Sequence, residues 1–290
     1  MPELPEVETV RRMLQDQVLG RAIRSVRLSG ARLREPVRRD LPRRLRGRRL
    51  LAARRHGKYL LLDLSDGLTL VSHLGMSGRW LFYPDARPEP MLHVHARIDF
   101  ADGSRLWFQD PRRFGVLRLA RTDRLAADPS LSILGPDPVA TPPTGAALAT
   151  LARGARVSAK TFLLDQRRIA GLGNIYASEI LHRAGVHPRR PAGALTPREW
   201  STVAARIGEV LGEAIERMGT TFSMYRTLWN EPGTYGERLL VYDRAGEPCR
   251  ACGTPIRRIV QGQRSTFFCP ACQPRRPARG AARAAAGRGS

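Results

Sequence analysis

Lysine is nearly absent from this chain: Lys58 and Lys160 stand alone among 49 basic side chains, and the other 47 are arginine. A GC-rich genome yields that bias with no functional cause, so the arginines alone identify nothing. A retained lysine is more informative, because a compact ammonium can tune its pKa and pass on a proton, whereas a guanidinium stays charged. Acidic residues are also scarce, at 26, which leaves a formal net charge of +23. That balance points to a polyanionic partner, with nucleic acid first. Long apolar runs are missing, so no membrane-spanning helix is expected. The acidic, proline-broken start is unlike a secretory leader, and a cytoplasmic protein is expected. Cysteine is missing until Cys249, so the long N-terminal part must fold without disulfides.

The first residues, Met1-Pro2-Glu3-Leu4-Pro5-Glu6-Val7-Glu8, gather acid and proline at one end of a basic chain. Removal of Met1 would leave Pro2 as a secondary amine, with a pKa of roughly 8. Such an amine can attack an aldehyde-level carbon and form an iminium. Glu3 beside it, and Glu6 one turn on, could hold the amine, move protons or steady a cation. The same residues also read as a plain helix start, with proline at the first position and acids toward the positive end of the dipole. Val7, Val10, Leu14 and Val18 continue as an apolar stripe, giving a helix from about Pro5 to Leu19 that Gly20 ends.

After this helix the period shortens. Residues 23–28 alternate, and 59–64 read as a buried strand. Ser65-Asp66-Gly67 turns into a return strand over 68–74, and 93–100 with 104–108 form a second hairpin. The expected fold is therefore α+β in two domains: an N-terminal β-sandwich with flanking helices over 1–134, a proline-rich linker at 135–147, and a helical domain over 148–228. Thr196-Pro197-Arg198-Glu199 is a capping box that opens a helix ended by Gly219. Gly171-Leu172-Gly173-Asn174 enters another helix and fits either a phosphate site at the helix N-terminus or a simple joint between helices.

Cys249-x2-Cys252 and Cys269-x2-Cys272, sixteen residues apart, have the spacing of a closed structural zinc site. A disulfide pair is the alternative, which a cytosolic setting disfavours. One structural zinc and no redox or nucleotide cofactor are expected. Between the knuckles a hairpin turns near Gly262, which places Arg264 near its tip, and the finger spans 229–273. Residues 274–290 are rich in Arg, Ala, Gly and Pro and read as a disordered basic tail. His93 and His95 alternate onto one strand face, but with no further ligand nearby polar contacts are the better reading.

Taken together, Pro2-Glu3-Leu4-Pro5-Glu6-Val7-Glu8-Thr9, His73-Leu74-Gly75-Met76-Ser77-Gly78, Asp110-Pro111-Arg112-Arg113-Phe114-Gly115, Leu164-Asp165-Gln166, Gly173-Asn174-Ile175-Tyr176-Ala177-Ser178-Glu179 and the four cysteines resemble the bacterial formamidopyrimidine-DNA glycosylases, the 8-oxoguanine or MutM family. The resemblance covers nearly the whole chain. It implies a monomeric bifunctional glycosylase and AP lyase that binds double-stranded DNA, excises oxidised purines and cuts by β,δ-elimination. The helical domain would be a helix-two-turn-helix unit. Pro2 would be the nucleophile, Glu3 and Glu6 catalytic and supporting carboxylates, and Lys58 a phosphate contact serving proton transfer. Met76, Arg112 and Phe114 would fill the gap left by the everted nucleotide, although Met76 and Phe114 taken alone read as sheet core. His93, Lys160, Asn174 and Arg264 would complete the DNA-binding set. Residues 222–229 depart from the family pattern, which leaves open a preference for oxidised pyrimidines. A non-catalytic zinc-finger protein would explain the charge and the cysteines, but not Pro2-Glu3 or Lys58.

Overall fold

The computed structural model describes residues 2–85, 91–221 and 225–275. The expected basic tail and the start of the divergent 222–229 stretch fall largely outside them. The described residues divide into two compact units, those within 2–134 and 212–238, and those within 135–211 and 239–275. Residues 212–221 and 225–228, grouped with the helical domain on sequence, fall in the first of these units by contact.

The first unit opens with α1 (Leu4–Val18), followed by β1 (Ile23–Leu28), the short α2 (Leu41–Leu45), β2 (Leu50–His56), β3 (Tyr59–Leu64), β4 (Leu68–His73), β5 (Arg79–Tyr83), β6 (Val94–Phe100), β7 (Arg105–Gln109) and β8 (Val116–Arg121). These strands form two four-stranded sheets, ordered β1-β6-β7-β5 and β2-β3-β4-β8. All pairings are antiparallel. One core draws on both sheets and on α1: Val7, Val10 and Leu14 meet Leu60, Leu62, Trp80, Ile98 and Phe108. The continuous apolar run of β3 has a physical cause. Leu60 and Leu62 face that core, while Leu61 packs on the other side with Val71, Leu125 and Leu131. Tyr225 and Leu228 return from far along the chain to enter the same core.

The second unit contains α3 (Gly145–Ala152), α4 (Ala159–Leu164), α5 (Asn174–Arg183), most of α6 (Pro197–Glu216) and the hairpin β9 (Arg257–Gln261) and β10 (Arg264–Phe268). The capping box of α6 forms as read. The Glu199 N–H donates to Thr196 Oγ1 at 3.2 Å, and Glu199 Oε2 accepts the Thr196 N–H at 2.8 Å. Arg190 adds two hydrogen bonds to that carboxylate and, with burial opposing it, helps hold Glu199 down at about 2. No helix among the described residues is long and apolar enough to cross a membrane.

Candidate active site and nucleic-acid interface

Pro2 and Glu3 are buried ahead of α1. Glu3 is its N-cap, in extended conformation, and a capping box with two glutamates closes the turn. Glu6 Oε2 accepts the Glu3 N–H at 2.7 Å. Glu6 Oε1 accepts the Thr220 N–H, also at 2.7 Å, across 214 residues of chain. One buried carboxylate therefore ties the chain start to the segment that leads into residues 222–224. The adjoining Gly219 has φ +78°, and a Cβ there would lie 2.6 Å from Glu6 Oε1, so both backbone and space demand glycine. Tyr225 donates its hydroxyl to the carbonyl of Met218 at 3.1 Å, and burial with the nearby Glu6 charge raises its pKa.

Lys58 follows Gly57 in the two-residue turn between β2 and β3, where Gly57 has φ +56°. It is 8 % exposed. The neighbouring Arg55 on β2 reaches Glu8 on α1 at 3.0 Å. Burial would raise the Glu8 pKa, but hydrogen bonds from Arg11, Arg55 and Arg12 outweigh it and bring the carboxyl down to about 2. The ion pair joins the end of β2 to the first turns of α1.

Burial, followed by the charges of Lys58 and Arg34, pushes the His73 pKa from 6.5 down to about 4. Its Nδ1 accepts the Gly75 N–H at 2.9 Å. The folded state thus holds a neutral ring that the unfolded chain protonates more readily. The resulting stability is complete above pH 6.5 and drains away as pH falls toward 4. His73→Gln should flatten the fall in unfolding free energy across that window, measured by urea titration at several pH values. Parallel curves for variant and wild type would refute it.

Met76 and Phe114 are 39 % and 44 % exposed, both outside the strands. The structure therefore corrects the reading of these side chains as sheet core. Arg112 is exposed too, with its guanidinium 5.1 Å from the Phe114 ring centre. What holds the three is buried. Asp110, with no exposed surface, accepts the Ser77 hydroxyl at 2.5 Å and the Gly115 N–H at 2.7 Å. Ser77 in turn accepts the Arg112 N–H at 3.1 Å. Gly75, at φ +63°, passes so close to Phe114 that a Cβ would meet its backbone at 2.5 Å. The loops carrying Met76 and Arg112–Phe114 are thereby one rigid knot.

The two histidines do not share a strand face. His93 lies before β6, exposed, with φ +63°, while His95 is buried between Ser29 at 3.0 Å and the Asp110 carbonyl at 2.9 Å. The positive φ turns the chain out of the ladder just where the alternation would have paired them.

In the second unit, Asn174 is the first residue of α5, after the cap Gly173. Its Nδ2 donates to the Ser265 carbonyl at 2.9 Å and to the Tyr242 hydroxyl at 3.3 Å. Lys160 is 1 % exposed, and its Nζ donates to the same Ser265 carbonyl at 3.0 Å and to Thr266 Oγ1 at 2.8 Å. Arg264, exposed at the start of β10, is the adjoining residue. Asn174 and Lys160 thus grip the strand from which Arg264 projects. Glu179, an acid amid apolar residues of α5, has no exposed surface and accepts the N–H groups of Leu240, Val241 and Tyr242 at 2.8–3.0 Å. Burial raises its pKa against the pull of these bonds.

The sulfurs of Cys249, Cys252, Cys269 and Cys272 lie within 4.8 Å of one another and none is in a disulfide. Neighbouring pairs at 3.5–3.9 Å are near the edge of about 3.8 Å expected of a tetrahedron with zinc–sulfur bonds of about 2.3 Å. The all-thiol donor set fits one structural zinc, which supplies folding free energy to so small a core. Glu8, Ser77 and Asp110 fall within the motifs quoted above, but sequence reading assigned no site role to them, nor to His182 or Tyr225. The contacts of Glu8 with Arg55, of Ser77 with Asp110 and of His182 with Cys249 close over 47, 33 and 67 residues, so no local pattern marks them.

Family models match along the chain: the formamidopyrimidine-DNA glycosylase N-terminal domain at residues 1–117, its H2TH domain at 134–226, and the zinc finger found in FPG and IleRS at 246–275. The formamidopyrimidine-DNA glycosylase of Methylococcus capsulatus is 47 % identical over 273 residues, covering 94 % of this chain and all of that protein. The crystal structure of MutM (Fpg) from Thermus thermophilus is 42 % identical, with a TM-score of 0.83, and covers 95 % of this chain and 100 % of that one. Lactococcus lactis Fpg in complex with DNA containing an abasic site gives 31 % identity and a TM-score of 0.86, covering 94 % and 100 %. That protein is also known in complexes with DNA containing N7-benzyl-Fapy-dG or an oxidised pyrimidine. A sandwich, a helix-two-turn-helix unit and a four-cysteine finger together define a DNA glycosylase architecture. The chain belongs to the formamidopyrimidine-DNA glycosylase family.

Proposed function

We propose that this chain is a bifunctional DNA glycosylase and AP lyase of base excision repair, releasing 8-oxoguanine and formamidopyrimidines from duplex DNA. The observation that carries the reading is the buried chain start, where Pro2 precedes a Glu3 whose N–H is held by the Glu6 carboxylate. With Met1 removed, the Pro2 nitrogen attacks C1′ of the everted nucleotide. The glycosidic electrons leave with the base, which takes up a proton. Opening of the sugar ring leaves an iminium between Pro2 and C1′. Loss of a C2′ proton then expels the 3′ phosphate, and a second elimination expels the 5′ phosphate. Glu3 moves protons beside the amine, and Glu6 holds both the turn and the segment before 222–224. Lys58 binds phosphate and assists proton transfer.

On the DNA side, Met76 and Phe114 replace the lost stacking and Arg112 meets the orphaned base. Asn174 and Arg264 hold phosphates flanking the lesion, and the exposed His93 adds to the duplex contact. Lys160 is buried, so it serves from behind, through the strand that bears Arg264. The enzyme works as a monomer in the bacterial cytoplasm. Borohydride reduction during turnover tests the reading: it should link the processed protein covalently to lesion-bearing DNA. Base release without any trapped complex would reject the iminium.

The exposure of Phe114 also separates its role from the covalent chemistry. Phe114→Ala should slow single-turnover excision of 8-oxoguanine by roughly tenfold or more, given that unstacking a base costs a few kcal/mol. Cleavage of a preformed abasic site, where no base is expelled, should suffer less. Equal losses on both substrates would make Phe114 a packing residue instead.

A further inference from the structure

The structure assigns His182 as the hydrogen-bond donor to the Cys249 thiolate, outside the metal's own ligand set. The inference rests on the four-cysteine zinc site. Four thiolates around one divalent ion leave net negative charge in the finger, and buried charge requires N–H donors in place of water.

The sulfurs are not served alike. Cys252 is exposed, and Thr254 donates to it. Cys272 is partly exposed. Cys269 is fully buried, and its sulfur accepts the Cys272 N–H at 3.4 Å. Cys249 is 3 % exposed, and its own N–H is committed to the Thr254 carbonyl at 2.9 Å. Its sulfur lies 3.7 Å from His182 Nε2, within reach of an N–H···S bond.

The other ring nitrogen decides which atom carries the proton. His182 Nδ1 is buried with no hydrogen-bond partner among the described residues. A neutral imidazole has one N–H to place. On Nε2 it meets the sulfur, and only a lone pair is left without a partner. On Nδ1 a buried donor would be wasted, and a ring lone pair would face a thiolate. The first arrangement is the stable one.

His182 also sits in the last turn of α5, whose first residue is Asn174 and whose middle holds Glu179. The helix thus grips the finger at Ser265, at the amides of residues 240–242 and at Cys249. Metal retention and the seating of α5 are joined through one side chain.

Zinc transfer from full-length, zinc-loaded protein to a colorimetric chelator tests the assignment. His182→Phe keeps a ring and removes the donor; it should weaken zinc retention about ten- to a hundredfold, the usual effect of losing such a partner. His182→Gln, which restores an N–H, should recover most of it. A folded His182→Phe protein that holds zinc as tightly as wild type would overturn the proposal, and so would wild type that carries no zinc. Should the Phe variant not fold, NMR of cadmium-substituted wild type decides. Scalar coupling from the metal to the Nε2-bound proton supports the bond, and a ring protonated on Nδ1 rejects it.

Discussion

Pro2→Gly lowers excision of 8-oxoguanine by roughly a thousandfold or more, the scale seen when a covalent nucleophile is removed, while affinity for an abasic-site duplex stays near wild type. The separation follows from where the groups lie. Binding draws on arginine charge spread through a chain of net charge +23, and losing one uncharged ring leaves that field intact. The chemistry draws on one nitrogen at the mouth of α1. Glycine supplies a primary amine in its place, with freer φ and no ring to fix the lone pair beside Glu3. The N-cap geometry that holds Glu3 extended loses its rigid predecessor as well. Single-turnover excision and borohydride trapping should fall together, with binding followed by fluorescence anisotropy at fixed salt. A permanently N-terminally tagged wild type should behave like the variant. Full turnover by such a tagged protein would remove Pro2 from the mechanism.

Much of the fold was legible because its signals are local. The turn Ser65-Asp66-Gly67 between apolar runs announced β3 and β4, and the Thr196–Glu199 box announced α6. The strands that escaped notice, β2, β5 and β8, all lie at sheet edges. β2 carries Arg54-Arg55-His56 at its end and β8 has Arg118 and Arg121, which blurs their pattern, whereas the edge strand β1 keeps its alternation and was legible. The same contrast runs through the site. Four cysteines at finger spacing and a proline next to a glutamate declare themselves within a few residues. Glu6 with Thr220 and Ser77 with Asp110 do not, since their hydrogen bonds close loops of 214 and 33 residues. Exposure was equally hidden: Met76 and Phe114 carry core-like side chains, and only the knot beneath them shows why they stand in solvent.

Glu6→Gln is expected to unfold about 2–4 kcal/mol more easily than wild type and to lose roughly a hundredfold in excision, for one reason. The two oxygens of Glu6 each accept a backbone N–H, from Glu3 and from Thr220, both at 2.7 Å. An amide has one oxygen. Whichever N–H it keeps, its –NH2 is turned toward the other, and two donors face each other in a site only 1 % exposed. A shift of the chain would relieve the clash, but Gly219 already lies against the Glu6 side chain and Tyr225 fills the core beside it. The strain therefore falls on the Glu3 turn, which seats Pro2, or on Thr220, which anchors the segment before 222–224. Either displacement misplaces reacting groups without removing one, so the loss should appear in the single-turnover rate more than in DNA affinity. Urea unfolding and single-turnover excision on the same preparation measure both effects. A variant as stable and as fast as wild type would show that the Glu6 carboxylate does not bridge the chain start to Thr220.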